Sequence, residues 1–223
     1  MGCGKVTDYY VESPVNVNIE DYKCGWWEGT WQMKDDKERN KFFISDTHFN
    51  HSNVITYCDR PFRDLDDMKK YLIYRWNRVV SKDDIVYVLG DFIMGMPDSI
   101  HEILSKLNGY IILVRGNHDT DSKIKIYQED YPDKIEVRDL AYIKDGKDTY
   151  ICSHYPMFVG EWDNGRKNKL YVLSGHTHSK EKFYDNIPLN YHVGVDANDF
   201  SPISFEVVKN RLKEREKFMR QDK

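Results

Sequence analysis

No stretch of this 223-residue chain stays apolar long enough to cross a bilayer. Its longest runs, such as Ile111-Ile112-Leu113-Val114, fall far short of the ~20 residues a spanning helix needs, so no membrane association is expected. The amino terminus lacks a charged region followed by a hydrophobic stretch, and Val6 stands where a myristoylation motif needs Ser or Thr. The four cysteines (Cys3, Cys24, Cys58, Cys152) form no CxxC pair. That argues against a disulfide frame or a thiolate zinc site and for reduced thiols in a cytoplasmic chain. Positive charge is also short: 33 Lys and Arg against 37 Asp and Glu leave a net charge of −4. Without a global basic field to gather polyanions, long DNA or RNA is not an expected partner. A repeat of 20–50 residues and a linker rich in Gly, Pro or Ser are both missing, which favours one main domain.

What is present is a globular composition, 40% apolar with 14% aromatics. Residues 1–40 differ from the rest. They hold Tyr9, Tyr10, Tyr22, Trp26, Trp27 and Trp31 among eight acidic and five basic residues, without a clear period. They read as an aromatic extension with a short hairpin around residues 25–31, packed on a main domain of residues 41–223. The tryptophans are read as packing for that extension, with a stacking platform for a ring as the rival use.

From Lys41 the pattern alternates between strand and helix. Phe42-Phe43-Ile44 is a short strand. Leu65, Met68, Leu72, Trp76 and Val79 recur at helical spacing and predict a helix over 64–80. Ile85 to Leu89 is a buried strand. Ile100, Ile103, Leu104 and Leu107 mark a helix closed by Asn108-Gly109, and Tyr110 to Val114 is the next strand. Residues 122–130 are helical, and Asp145-Gly146 joins two strands, 135–143 and 148–153, as a hairpin. Further strands are expected at 170–173 and 191–195, then a final helix from about residue 202. The basic tail 209–223 reads as a solvated helix face. The class is α/β.

Residues suited to metal binding sit where these strands end. Asp46-Thr47-His48 follows the first strand, Gly90-Asp91 the second and Gly116-Asn117-His118-Asp119 the third. His154 closes the hairpin strand and Gly175-His176-Thr177-His178 the one after it. In open α/β sheets, the carboxyl ends of strands converge on one crevice. Asp46 with His48, and His176 with His178, are two residues apart, so each pair can approach one ion from an extended chain. The preceding glycines are expected to let the backbone turn sharply. Imidazole, carboxylate and amide oxygen without thiolate suit Mn²⁺ first, with Fe²⁺, Zn²⁺ or Ni²⁺ as the other candidates. With His118 set aside, seven ligands are too many for one ion. Two ions sharing a carboxylate, for which Asp91 is suited, use all seven.

These motifs, in this order, resemble those of the calcineurin-like metallophosphoesterases. Ser45-Asp46-Thr47-His48-Phe49, Tyr57-Cys58-Asp59-Arg60-Pro61-Phe62 and Val193-Gly194-Val195-Asp196-Ala197-Asn198-Asp199 resemble a small bacterial and phage branch of phosphoesterases. The likeness spans about residues 41–205. It implies a four-layer αββα sandwich of two mixed β-sheets flanked by helices. It further implies that Asp46, His48 and His178 hold one divalent ion and Asn117, His154 and His176 the other, with Asp91 bridging. The implied reaction is hydrolysis of a small phosphorylated substrate, a phosphodiester or phosphomonoester such as a nucleotide. A bridging hydroxide attacks phosphorus in line, and His118 serves as general acid. One departure is visible: Phe92-Ile93-Met94-Gly95 follow Asp91, where the protein phosphatases of the superfamily carry Asp-Arg-Gly.

Several further roles follow from residue type. Asp119 is a candidate to orient His118, with a turn as its rival reading. Arg60 and Arg63 are candidates to clamp a phosphate oxygen, with a surface salt bridge as the alternative. His51 and Asn53 are substrate-binding candidates at the start of a short helix, where capping by Ser52 or Asn53 would explain them equally. Arg115 is read as bracing its loop, His101 and His192 as structural, and Asp196, Asn198 and Asp199 as a turn. The rival functions are a nuclease acting on oligonucleotide ends and a catalytically silent protein-binding scaffold. The sequence sets no oligomeric state.

Overall fold

The computed structural model describes residues 39–159 and 168–221. The hairpin expected around residues 25–31, its tryptophans, and the loop residues Trp162, Asn164 and Arg166 lie outside the described residues.

Two mixed sheets make the frame. In the first, β1 (Lys41–Ile44), β2 (Ile85–Val88), β3 (Tyr110–Val114) and β4 (Ile135–Arg138) run parallel, and β9 (Ile203–Ser204) pairs antiparallel with β1. The second orders β5 (Ala141–Asp145), β6 (Asp148–Cys152), β7 (Leu170–Ser174) and β8 (Asn190–His192), with only the β5–β6 hairpin antiparallel. Five α-helices and a short 3-10 helix (Val195–Ala197) complete the described chain: α1 (Asn53–Tyr57), α2 (Leu65–Val79), α3 (Pro97–Leu104), α4 (Asp121–Asp130) and α5 (Phe205–Gln221).

The period-two rule explains how the core divides. Phe42, Ile44, Val86, Val88, Ile111 and Leu113 point toward the helices, joining Met68, Leu72, Trp76, Ile103 and Tyr127. Their strand neighbours Phe43, Ile85, Tyr87, Ile112 and Val114 point the other way, onto Ala141, Ile143, Tyr150, Tyr171 and Tyr191 of the second sheet. Both faces of the first sheet are buried, which is why its strands read as continuous apolar runs. Val208 and Leu212 of α5 join the core between the sheets. α2 starts where Asp64 accepts the Asp67 backbone N–H at 2.8 Å, with Asp66 and Asp67 in the first turn beside the positive end of the helix dipole.

The strand expected over 135–143 is two strands in different sheets. β4 ends at Arg138 as a parallel partner of β3, and β5 begins at Ala141 as a partner of β6. The chain leaves one sheet for the other at Asp139-Leu140, and alternation along the sequence carries no record of which neighbour a strand pairs with. The strand expected at 191–195 ends at His192, but its continuation still matters. Val195 N–H donates to the Ser45 carbonyl at 3.1 Å, and Ser45 and Gly194 form a parallel bridge. That contact draws the carboxyl ends of the two sheets together.

His192 on β8 is fully buried, and neither ring nitrogen has a hydrogen-bond partner. Burial pushes its pKa down from 6.5 to about 4. A histidine held neutral in this way contributes stability that is complete above pH 6.5 and lost as pH falls toward 4. With metal removed by EDTA, the wild type is therefore expected to lose stability relative to His192→Gln by about 1.4 kcal/mol per pH unit below pH 6.5. Denaturant melts of both proteins from pH 7 to 4.5 check this. Parallel curves would show that His192 does not titrate in the fold.

Candidate metal centre

The loops after β1, β2, β3, β6 and β7 meet at one end of the two sheets, and their backbones are held there under strain. Asp46, His48, Asp91, His176 and His178 all have positive φ, between 48° and 72°. For residues other than glycine, this left-handed conformation costs about 1–2 kcal/mol each. Five such residues in one place identify a region where geometry is kept at the expense of stability.

Neighbouring backbone and side chains hold these turns. Asp46 N–H donates to Gly90 O at 3.1 Å, and His48 N–H to Asp91 O at 3.0 Å. The Asp119 carboxylate is buried and accepts the backbone N–H groups of Asp91 (2.8 Å), Gly116 (2.9 Å) and Phe92 (3.2 Å). It ties the loop after β2 to the loop after β3. Among the described residues no hydrogen bond joins it to the His118 ring; its contacts are with backbone.

The glycines act mainly through space. Gly90 does have positive φ, but at Gly175 an added Cβ would collide with Ser45 Oγ and come 2.5 Å from Asp46 Oδ2. At Gly116 it would lie 2.5 Å from Asp91 Oδ1. The expectation of sharp turns is thus replaced, at Gly116 and Gly175, by close approach of backbone to carboxylate.

Two groups of ligand atoms, each lying within 4.8 Å of one another, are offered here: Asp46, His48 and His178, and Asp46, Asp91 and His154. Asp91 Oδ2 stands 3.4 Å from His48 Nε2 and 3.7 Å from His154 Nε2, so this one oxygen faces an imidazole of each group. Its other oxygen accepts the His118 backbone N–H at 2.8 Å. His154 Nδ1 is 2.9 Å from the Leu89 carbonyl. A carbonyl only accepts, so Nδ1 carries the proton and Nε2 presents a lone pair. Beside that lone pair lie Asn117 Oδ1 at 2.8 Å, also an acceptor, and His176 Nδ1 at 3.2 Å. His48 Nε2 is buried without a hydrogen-bond partner. Converging lone pairs of this kind fit a cation, so the residues present suit divalent metal.

The electrostatics agree. Burial raises the Asp46 pKa to about 6, against the pull of His178, His154 and the Ser45 hydroxyl. Burial lowers that of His48 to about 4, against the pull of Asp91. Burial also acts to raise Asp91, but the nearby imidazole of His48 and the hydrogen bond from the His118 N–H outweigh it and hold this carboxyl down at about 2. Asp46 is thus reluctantly charged, and a bound cation would reverse that.

Two residues behave differently from expectation. Arg60 is buried, with Nε and Nη2 on Asp196 (2.8 and 3.0 Å), Nη2 also on Asp46 O (2.7 Å), and Nη1 on Thr47 O (3.1 Å) and Met68 Sδ (3.5 Å). All five guanidinium donors are engaged, so Arg60 cannot clamp a phosphate; it braces the first loop from behind. Asp196, expected as a turn, is its partner and also holds His178 Nδ1 at 2.8 Å. Burial works to lower the His178 pKa, but the Asp196 hydrogen bond and the Asp46 charge raise it on balance. A carboxylate fixing the outer nitrogen of a histidine aims its other nitrogen at the site. Only the Val193–Asp199 likeness hinted at this, because Arg60 and Asp196 lie 136 residues apart. Cys58 joins His178 and Asp196 in a third group, but Asp196 already has both oxygens bonded within the protein.

The remaining candidates sort as follows. The His118 ring is half-buried, 5.4 Å from that of His48 and 6.2 Å from that of His51. His51 reaches the site, its Nδ1 lying 3.1 Å from His48 Nδ1. Asn53 opens α1 as an exposed residue and makes no side-chain hydrogen bond among the described residues, and Ser52 provides no side-chain cap. Arg63 points outward to Asp67, and Arg115 braces its loop through Asp119 O and Asp121.

Residues 42–180 match the profile described as calcineurin-like phosphoesterase. The chain belongs to that family. It is 32% identical over 180 residues to the uncharacterized protein MJ1445 of Methanocaldococcus jannaschii, covering 76% of this chain and 89% of that one. It is 29% identical to the Gene 66 protein of Mycobacterium phage D29, covering 74% and 92%. Among solved structures, the protein of unknown function AQ665 from Aquifex aeolicus aligns at 25% identity with a TM-score of 0.57, covering 78% of this chain and 99% of that one. As a calcineurin-like phosphoesterase, the chain has divalent metal as its expected cofactor. No helix among the described residues is long and apolar enough to cross a membrane.

Gly175→Ala is expected to displace Asp46 and weaken Mn²⁺ binding at least about tenfold by calorimetry, with the far-ultraviolet circular dichroism unchanged. Unaltered Mn²⁺ affinity would show that the contact with Asp46 is dispensable.

Proposed function

We propose that the protein hydrolyses small phosphate esters, diesters or monoesters including nucleotides, at a dinuclear centre. Asp46, His48 and His178 hold one divalent ion, Asn117, His154 and His176 the other, and Asp91 is shared. The observation that carries this reading is the convergence of His48 Nε2, His154 Nε2 and Asn117 Oδ1 around Asp91 Oδ2, which stands 3.4 Å from His48 Nε2 and 3.7 Å from His154 Nε2. Divalent ions bound there supply a water of lowered pKa and neutralise phosphoryl oxygens. Manganese suits the mixed donor set best, with iron, zinc or nickel as substitutes.

The protein's own groups do the rest. Asp196 and the Leu89 carbonyl fix the tautomers of His178 and His154. Asp119 sets the backbone that carries Asp91 and Asn117. His118, anchored through its N–H on Asp91 Oδ1, protonates the departing oxygen. With Arg60 engaged behind the loop, His51 is the side chain beside His48 and His118 best placed to meet the phosphate. The net charge of −4 favours small substrates over long nucleic acid, and the free thiols Cys58 and Cys152 suit the cytoplasm.

Purified protein is expected to turn over bis-p-nitrophenyl phosphate with Mn²⁺ and to stop in EDTA. Failure with every divalent metal would favour a silent scaffold. His118→Ala should lose about 10²–10⁴-fold on an alkyl ester and far less on a p-nitrophenyl ester, whose leaving group departs without a proton. Equal losses on both would overturn the acid assignment.

A further inference from the structure

Tyr155 directly follows His154, and the mechanism above does not use it. Its ring lies 4.9 Å from the ring of His154 and 4.6 Å from that of His176, at 71° and 62°. Even so, the residue is 51% exposed. The backbone that carries it is tied down: Ser153 Oγ donates to the Tyr155 carbonyl at 2.7 Å, and His154 is anchored on Leu89 O. Met157 and Phe158 follow on the same loop, 36% and 72% exposed. A large ring lying against two proposed metal ligands, half of it open to solvent, provides an apolar surface beside them. Such a surface has the chemistry to stack on another planar ring.

We propose that Tyr155 is a specificity-determining residue that stacks on a planar ring carried by the alcohol portion of the ester, so that the site prefers aryl or nucleoside esters to simple alkyl esters. The inference rests on the phosphoesterase reading and names its substrate class. Calorimetry in Mn²⁺ with inorganic phosphate, methyl phosphate, phenyl phosphate and adenosine monophosphate tests it. The wild type is expected to bind at least one of the two ring-bearing esters about tenfold or more tighter than methyl phosphate. Which of the two binds more tightly distinguishes an aryl from a nucleoside preference. Tyr155→Ala should erase the advantage while leaving Mn²⁺ and methyl phosphate affinities unchanged, and Tyr155→Phe should keep it. Equal binding of all esters by the wild type would overturn the inference. So would a uniform loss in Tyr155→Ala, including Mn²⁺ affinity, since that is the mark of a residue that merely packs the two histidines. If neither phosphate nor any ester binds, the phosphoesterase reading itself fails, which separates the two outcomes.

Discussion

Imidazole nitrogens and carboxylates crowded together out of water are costly to bury, and the loop end of this molecule is organised around that crowding. His48 Nε2, His154 Nε2, Asn117 Oδ1 and the carboxylates of Asp46 and Asp91 are pressed together by strands that the core fixes in place. The opposite shifts of Asp46 and His48, one pushed up and the other down by burial, express the same frustration. A divalent cation relieves both shifts together, which links metal binding to the stability of the strained turns.

Keeping such a site assembled requires a rigid surround, and the structure provides it in a layer of buried polar contacts. Arg60 spans the first loop and Asp196, Asp196 reaches His178, and Asp119 joins the loops after β2 and β3. None of these three needs to touch substrate. Each converts flexible connections into a fixed framework, as second-layer partners do in metal sites generally. The positive φ angles at five candidate ligand positions are sustained by these contacts together with the close glycines.

Arg60 does not make up for the departure from Asp-Arg-Gly after Asp91. Arg60, the nearest sequence candidate for a phosphate-binding arginine, is committed to the framework. On the proposed reading, anion recognition would fall to imidazoles beside His48, and selectivity to the apolar surface next to His154 and His176. Tyr155 stands there.

The sequence by itself determined the candidate ligand types and the strand ends that carry them, because hydrophobic alternation and the punctuation after each strand are local properties. From spacing alone it did not show that His178 groups with Asp46 and His48 rather than with His176, as the family resemblance implied, nor that these residues leave the extended conformation. It also marked α2, β2 and β3 closely, since their apolar periods are strong. Only the tertiary structure decided that Asp139-Leu140 separates two sheets, that Arg60 faces Asp196 rather than solvent, and that Asp119 turns toward backbone rather than toward His118. Those outcomes depend on contacts between residues up to 136 positions apart. A side chain's choice between substrate and scaffold is settled by which neighbours packing brings within hydrogen-bond reach, and no local pattern encodes that.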